Sequence, residues 1–212
     1  MEFTTVLENR ISIRDFSDKP VDRKTLTAII SDAQKAPSWA NSQPWKVYIA
    51  TGDTLKALRE DHMRASSEGV KGYPDLPNKS LKDWGALSYK NITEWLEEIG
   101  EEPLMEDFSR MNARLWHAPA IAYITIPRSA PAWSVFDTGS FAHLLMLAAA
   151  SRGVDTMVAY ENIKYPGEAR THLNIPEDEI VVSGIALGYR SDDKVNSYRS
   201  PRSAVEEILT IK

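Results

Sequence analysis

The chain has 212 residues, with 25 Lys and Arg against 30 Asp and Glu, a formal net charge of -5 and no cysteine. A net acidic total argues against nonspecific nucleic-acid binding, which needs cationic surface to neutralise phosphates, though it leaves room for one local basic pocket. Without cysteine there is no disulfide, no thiolate catalysis and no Cys-ligated zinc or iron–sulfur centre, and the length suits a single domain over 1–212.

The opening Met1-Glu2-Phe3-Thr4-Thr5 lacks the basic-then-apolar order of a signal peptide. The longest apolar run, Leu144 to Ala150, is too short to span a bilayer. A soluble, cytoplasmic protein with no membrane and no nucleic-acid partner is the expectation. Asp22 can cap a helix whose apolar positions Leu26, Ile29, Ile30 and Ala33 recur at helical spacing, and Pro37 ends it. Trp45, Val47 and Ile49 alternate with Lys46, Tyr48 and Ala50 as in a strand, and Gly52-Asp53 turns into a helix carrying Leu55 and Leu58. From Glu68 to Pro103 the pattern loosens: Gly69, Gly72, Pro74 and Pro77 mark a loop, and a helix is expected between Trp84 and Ile99. With few regular apolar positions this stretch, about 68–103, reads as an insertion lining or covering a site.

Ala120 to Ile126 reads as a buried strand. Val135 to Arg152 is apolar on nearly every face, which predicts a central, buried helix ended by Gly153 in a left-handed conformation, with His143 a hydrogen-bonded core residue. Met157-Val158-Ala159 starts a short strand, Gly167 to Leu173 a short helix and Ile180 to Leu187 the last strand. Pro201 precedes a terminal helix containing Val205, Ile208 and Leu209. Interleaved helices and strands make a mixed α/β domain.

Arg10, Ser12 and Arg14 alternate, so an extended backbone projects them to one side, where paired guanidinium donors grip phosphate oxygens; solvated surface charge is the alternative. In Ala36-Pro37-Ser38-Trp39-Ala40-Asn41-Ser42-Gln43-Pro44-Trp45, prolines fix the backbone, tryptophans offer flat apolar surface, and Ser38, Asn41 and Gln43 offer uncharged hydrogen bonds. That composition can hold a planar heterocycle or simply build a corner between helix and strand. Arg199 and Arg202 are either surface charge or, with Arg10, a phosphate site closed by both ends of the domain. The glycines form no GxGxxG or phosphate loop, the four histidines (His62, His117, His143 and His172) show no ligand spacing, and no G-x-S-x-G elbow occurs. These residues cannot perform redox chemistry without a bound cofactor.

In order along nearly the whole chain, these strings resemble the nitroreductase family of FMN enzymes. Arg10, Ser12, Arg14 and Phe16 match its Arg-x-Ser-x-Arg-x-Phe opening, and the ten-residue string matches Ala-Pro-Ser-x-x-Asn-x-Gln-Pro-Trp at every position. Ala118-Pro119, Asp137-x-Gly139, Lys164 to Gly167, Gly184 to Tyr189 and Asn196 to Arg202 add to the likeness, which is nearest the nitrobenzoate-reductase type. The resemblance implies a mainly antiparallel mixed sheet flanked by helices in an intertwined homodimer, with FMN at the interface. It implies that Arg10, Ile11, Ser12 and Arg202 surround the FMN phosphate, with Arg199 in place of a basic residue that relatives carry where this chain has Ser200. Arg14 would approach the ribityl chain and the pyrimidine edge, and Asn112 would reach that edge. Tyr160, Glu161 and Asn162 would offer backbone groups near N5 and O4, and Pro37, Ser38, Trp39 and Asn41 would come from the other subunit.

The activity so implied passes hydride from NADPH or NADH through flavin N5 to a nitroaromatic, quinone or similar flat electrophile by a ping-pong mechanism. No side chain need act as acid or base, because the flavin carries the chemistry. An FMN-dependent reductive dehalogenase or dehydrogenase of the same fold is the alternative within the family, and a non-catalytic flavin-binding protein the alternative outside catalysis.

Overall fold

The computed structural model describes residues 2–77, 80–101 and 104–212. Pro103, the expected end of the loosened stretch, lies outside the described residues, as does Met1. Among the described residues, seven α-helices and four strands follow in the order α1 (Phe3–Asn9), α2 (Arg23–Ala33), β1 (Lys46–Thr51), α3 (Gly52–Ser67), α4 (Ala86–Glu101), α5 (Leu104–Ala113), β2 (Ala120–Pro127), α6 (Ala132–Ala150), β3 (Asp155–Val158), α7 (Pro166–Leu173) and β4 (Glu179–Gly188). The strands form one sheet in the order β1-β2-β4-β3, with every pairing antiparallel. The parallel component is a single bridge between Ser12 and Thr156. Among the described residues, no helix is long and apolar enough to cross a membrane.

Local signals act as their chemistry requires. The Asp22 carboxylate accepts from the Thr25 N–H at 2.9 Å and so satisfies an orphan donor at the start of α2. Gly52 (φ +54°) turns β1 directly into α3, a conformation that side-chain-bearing residues resist. Gly153 (φ +70°) follows α6 as expected. β2 and β4 are buried on both faces because helices cover both: α2 and α6 pack on one side through Ile29, Phe141 and Leu145, while α3, α5 and α7 pack on the other through Leu58, Met111 and Ala169. Burying an Ile such as Ile121 or Ile124, both fully enclosed, stabilises the fold by roughly 1.5–3 kcal/mol relative to leaving it exposed. Glu179, at the edge of this core, remains a buried carboxylate because Lys46, Tyr48 and Thr125 all donate to it.

Three expectations are corrected. Although α6 is apolar nearly all round, it is not buried all round: Trp133, Phe136 and His143 lie on an exposed stripe. His143 is therefore a surface residue and not a core one. The terminal helix is only one 3-10 turn, Val205–Glu207, and Val205, Ile208, Leu209 and Ile211 all face outward. An apolar helix is held by the surface it packs on; here the segment meets α4 through polar groups, Ser203 with Asn91 and Glu207 with Lys90, while these apolar side chains stay exposed. The sequence reading also has no counterpart to α1, whose single buried residue is Val6.

The loop after α3 is fastened. The Tyr165 hydroxyl donates to the Val70 carbonyl at 2.8 Å, Tyr73 N–H donates to the Lys164 carbonyl at 2.9 Å, and Asp75 accepts from Arg170 at 2.6 Å and from Val181 N–H at 2.7 Å. Anchored there, the chain returns through α4 and brings Trp95 over the sheet end where β3 terminates.

Candidate functional site

Residues 10–16 run extended beside β3, with the Ile13 N–H donating to the Thr156 carbonyl at 3.0 Å and the Phe16 N–H to the Trp116 carbonyl at 3.0 Å. The alternation sends Ile13 into the core and leaves Arg10, Ser12 and Arg14 along a common cavity edge. From the other end of the chain, a 3-10 turn at Lys194–Ser197 is capped by Asp193, which accepts from the Val195 N–H at 2.9 Å. The turn delivers Tyr198 to Arg202 alongside the first segment. Between them lies a cavity of about 70 Å³ lined by both segments: Arg10, Ile11, Ser12 and Arg14 facing Tyr198, Arg199, Ser200 and Arg202.

Its electrostatics are one-sided. Burial and then the charge of Arg202 lower the pKa of Arg10. Burial likewise lowers that of Arg14; Tyr198 opposes this and the charge of Arg199 adds to it. All four guanidiniums stay charged, since arginine is not deprotonated in proteins. Among the described residues, no carboxylate forms an ion pair with any of them. Arg199 and Arg202 donate instead to nearby backbone carbonyls, Asn196 and Tyr198 for the first, Ser200 and Pro201 for the second. The Arg14 guanidinium is steadied over the Phe108 ring at 4.4 Å and the Tyr198 ring at 5.2 Å. Four cations around a void of this size have the chemistry to hold a small, multiply charged anion.

Ser12 and Arg14 also line a second cavity of about 320 Å³, continued by Trp95, Phe108, Asn112, Met157, Val158, Ala159, Tyr160 and Glu161. This volume is at the lower end of the range that holds small ligands. Apolar walls with a few polar groups suit a flat ring system, and the shared lining joins it to the anion pocket. The Glu161 carboxylate turns toward His62 Nε2 at 3.1 Å and Lys164 Nζ at 2.9 Å, and His62 Nδ1 lies 3.4 Å from Glu168. Burial opposes the charge of His62, but the two carboxylates outweigh it and hold its pKa above the usual value. Glu161, raised by burial but held down by His62 and Lys164, is shifted below the usual carboxylate value.

The sequence profile of the Nitroreductase family matches residues 7–189. The chain belongs to the nitroreductase family. A 4-nitrobenzoate reductase of Pseudomonas putida is 28% identical over 97% of this chain and 93% of its own, in keeping with the nitrobenzoate-reductase likeness. A nitrobenzene nitroreductase of Ectopseudomonas oleovorans is 29% identical over 97% and 94%. Among solved structures, a variant of the FMN and NADPH-dependent nitroreductase NfnB from sphigopyxis sp. strain HMH superposes with a TM-score of 0.87 at 25% identity, covering 100% of this chain and 99% of that one.

The nitroreductase motifs divide into two groups in space. Arg10, Ile11, Ser12, Arg14, Arg199 and Arg202 meet at the smaller cavity, and Asn112, Tyr160 and Glu161 meet Ser12 and Arg14 at the larger. Asn162 faces away from both, its side chain donating to the Gly184 carbonyl at 2.9 Å. Pro37, Ser38, Trp39 and Asn41 line neither cavity. They sit on an outward turn where Ala40 (φ 46°), Asn41 (φ 58°) and Gln43 (φ 43°) are left-handed, stabilised by the Trp39 N–H donating to Asp137 at 3.0 Å and the Gln43 N–H to Ser38 Oγ at 3.0 Å. That turn leaves Trp39 68% exposed. Trp95, Phe108, Tyr198 and His62 escaped the sequence reading. Trp95 and Phe108 carry no motif, Tyr198 stands inside the Asn196–Arg202 string without a role of its own, and His62 meets Glu168 only when α3 packs on α7.

Proposed function

We propose that the chain is an FMN-dependent NAD(P)H oxidoreductase acting on nitroaromatic, quinone or similar flat electrophilic acceptors, and that it works as a homodimer. The observation that carries this reading is the carboxylate-free pocket of Arg10, Ser12, Arg14, Arg199 and Arg202, which shares Ser12 and Arg14 with the larger, mostly apolar cavity. A flavin mononucleotide has that form: a dianionic phosphate, a short polyol and a ring. The FMN and NADPH dependence named for the structural relative and the nitroaromatic activities named for the sequence relatives support it.

FMN, when bound, supplies the two-electron chemistry that none of these side chains can perform. Arg10, Ser12, Arg199 and Arg202 would hold the phosphate. Arg14, fixed between Phe108 and Tyr198, would set a positive charge beside the ring and favour its anionic reduced form. Asn112 would supply a hydrogen bond to the ring, and Tyr160 and Glu161 would line its cavity beside Asn112. Trp95, Phe108 and Met157 exclude water from the ring.

The dimer reading rests on surface left bare by one copy. Trp133 and Phe136 pack edge to face at 6.1 Å on α6, and with Phe3, Leu7 and Trp39 they expose more large apolar side chains than an isolated subunit comfortably presents. The exposed turn carrying Pro37, Ser38, Trp39 and Asn41 lies beside this face, where a partner's flavin ring would meet it. With the ring in the larger cavity, NADPH and the acceptor would take turns at its open face. Initial rates with NADPH and a nitroaromatic varied together are expected to give parallel double-reciprocal lines; intersecting lines would overturn the shared pocket, and no NADPH oxidation would overturn the assignment.

A further inference from the structure

The two segments of the anion pocket come from opposite ends of the chain, and one buried side chain ties them together. Asn196 is 6% exposed. Its side-chain oxygen accepts from the Arg14 N–H at 2.8 Å and the Asp15 N–H at 3.1 Å. Its side-chain nitrogen donates to the Asp15 carbonyl at 2.8 Å and the Ser191 carbonyl at 3.2 Å. An amide offers two donors and can accept twice, so this carboxamide is fully used. Its own backbone carbonyl accepts from the Arg199 guanidinium at 2.8 Å. One residue therefore holds the backbone of Arg14 and the side chain of Arg199, two of the four cations that face the pocket. The clamp is itself buttressed. Ser191 N–H donates to the Asp15 carbonyl at 3.1 Å, and the Asp15 carboxylate takes His117 Nδ1 at 2.9 Å and the Ser191 hydroxyl.

We propose that Asn196 is the positioning residue of the phosphate site: its carboxamide sets the spacing between the N-terminal and C-terminal cations, so that recognition of a phosphate dianion, and not of the ring, depends on it. The proposal rests on the FMN reading above. Like charges brought together without an anion repel and spread apart, and a ligand would have to gather them at a cost to affinity. Asn196 does that gathering beforehand, through hydrogen bonds that compete with no ligand atom. Serine or aspartate could supply an acceptor to the Arg14 and Asp15 amides, but neither supplies the two donors at the same time.

Two flavins that differ only in the phosphate give the test. Dissociation constants of FMN and riboflavin are measured by fluorescence quenching on the flavin-free parent, Asn196→Ala, Asn196→Ser and Arg202→Ala proteins, with far-UV circular dichroism and a melting curve for each. Asn196→Ala is expected to reduce the preference for FMN over riboflavin by roughly tenfold, the usual scale for loss of a residue that orients a binding group, with riboflavin affinity unchanged. Asn196→Ser follows in the same direction and keeps the test available should alanine not fold. Parallel loss of both flavins, or an unchanged preference, would overturn the proposal, as would failure of both Asn196 variants to fold, since the residue would then serve the fold and not the site. Arg202→Ala separates the two levels of the argument. If it lowers the preference and Asn196→Ala does not, the positioning role fails and the phosphate site stands. If the parent shows no preference, or Arg202→Ala leaves it intact, the phosphate reading itself fails.

Discussion

Arg10→Ala and Arg202→Ala have effects of opposite sign on binding and on stability. The two guanidiniums share a pocket with Arg14 and Arg199, and each is a repulsive neighbour to the other until an anion arrives. A charge-assisted hydrogen bond is worth about 1.5–3 kcal/mol, and each about 1.4 kcal/mol is a factor of ten, so loss of either guanidinium is expected to weaken FMN binding between roughly tenfold and a hundredfold. Stability of the flavin-free protein moves little or upward, because neither residue has a carboxylate partner to lose and the substitution relieves repulsion; surface changes of this kind stay within about 0.5 kcal/mol. The double variant is not expected to equal the sum of the singles, since the two groups contact one anion. Fluorescence titration of flavin-free protein and thermal melting of the same samples read both quantities. FMN bound as tightly as by the parent, or weakened binding accompanied by a matching collapse of the flavin-free fold, would refute the reasoning.

His62, nearly enclosed between Glu161 and Glu168, has its folded pKa raised, so its contribution to stability is complete below the unfolded value of about 6.5 and is lost as pH rises through the folded value. The melting temperature is expected to decline as pH rises above about 6.5, the unfolded value, and His62→Gln to flatten that decline; an equal slope in the variant would remove His62 as its cause. Subunit exchange between Arg10→Ala and Asn41→Ala proteins, each inactive alone, is expected to restore activity, because a heterodimer contains one site with both residues intact. Confirmed exchange without recovery would place Asn41 outside the partner's site.

Much of the fold was legible because its signals are local. Asp22, Pro37, Gly52 and Gly153 mark element ends through backbone chemistry that needs no tertiary context. The shared cavity edge of Arg10, Ser12 and Arg14 was legible for a different reason: the three alternate, and alternation in an extended segment already implies one shared side. What escaped depends on neighbours. The composition of α6 does not say which of its apolar faces the same chain covers, and so a helix buried all round, with His143 in the core, is the expectation, while Trp133, Phe136 and His143 in fact face outward. The apolar residues after Pro201 have helical spacing but stay exposed, and the helix shrinks to one turn. His62 sits 99 residues from Glu161, and Asn196 sits 182 residues from Arg14. A single sequence contains no periodicity that joins such pairs. The turn around Trp39 was recognised by its residue types, yet its outward aim follows from the left-handed conformations of Ala40 and Asn41, which composition does not reveal.

The central claim is that this chain holds FMN noncovalently through its phosphate. The most direct measurement is the absorbance spectrum of the purified protein before and after acid or heat precipitation, with the released chromophore identified by mass. A flavin spectrum that passes entirely into the supernatant as FMN, one per chain, is the expected result. A protein that stays colourless after incubation with excess FMN and gel filtration, or that retains riboflavin as readily as FMN, would contradict it.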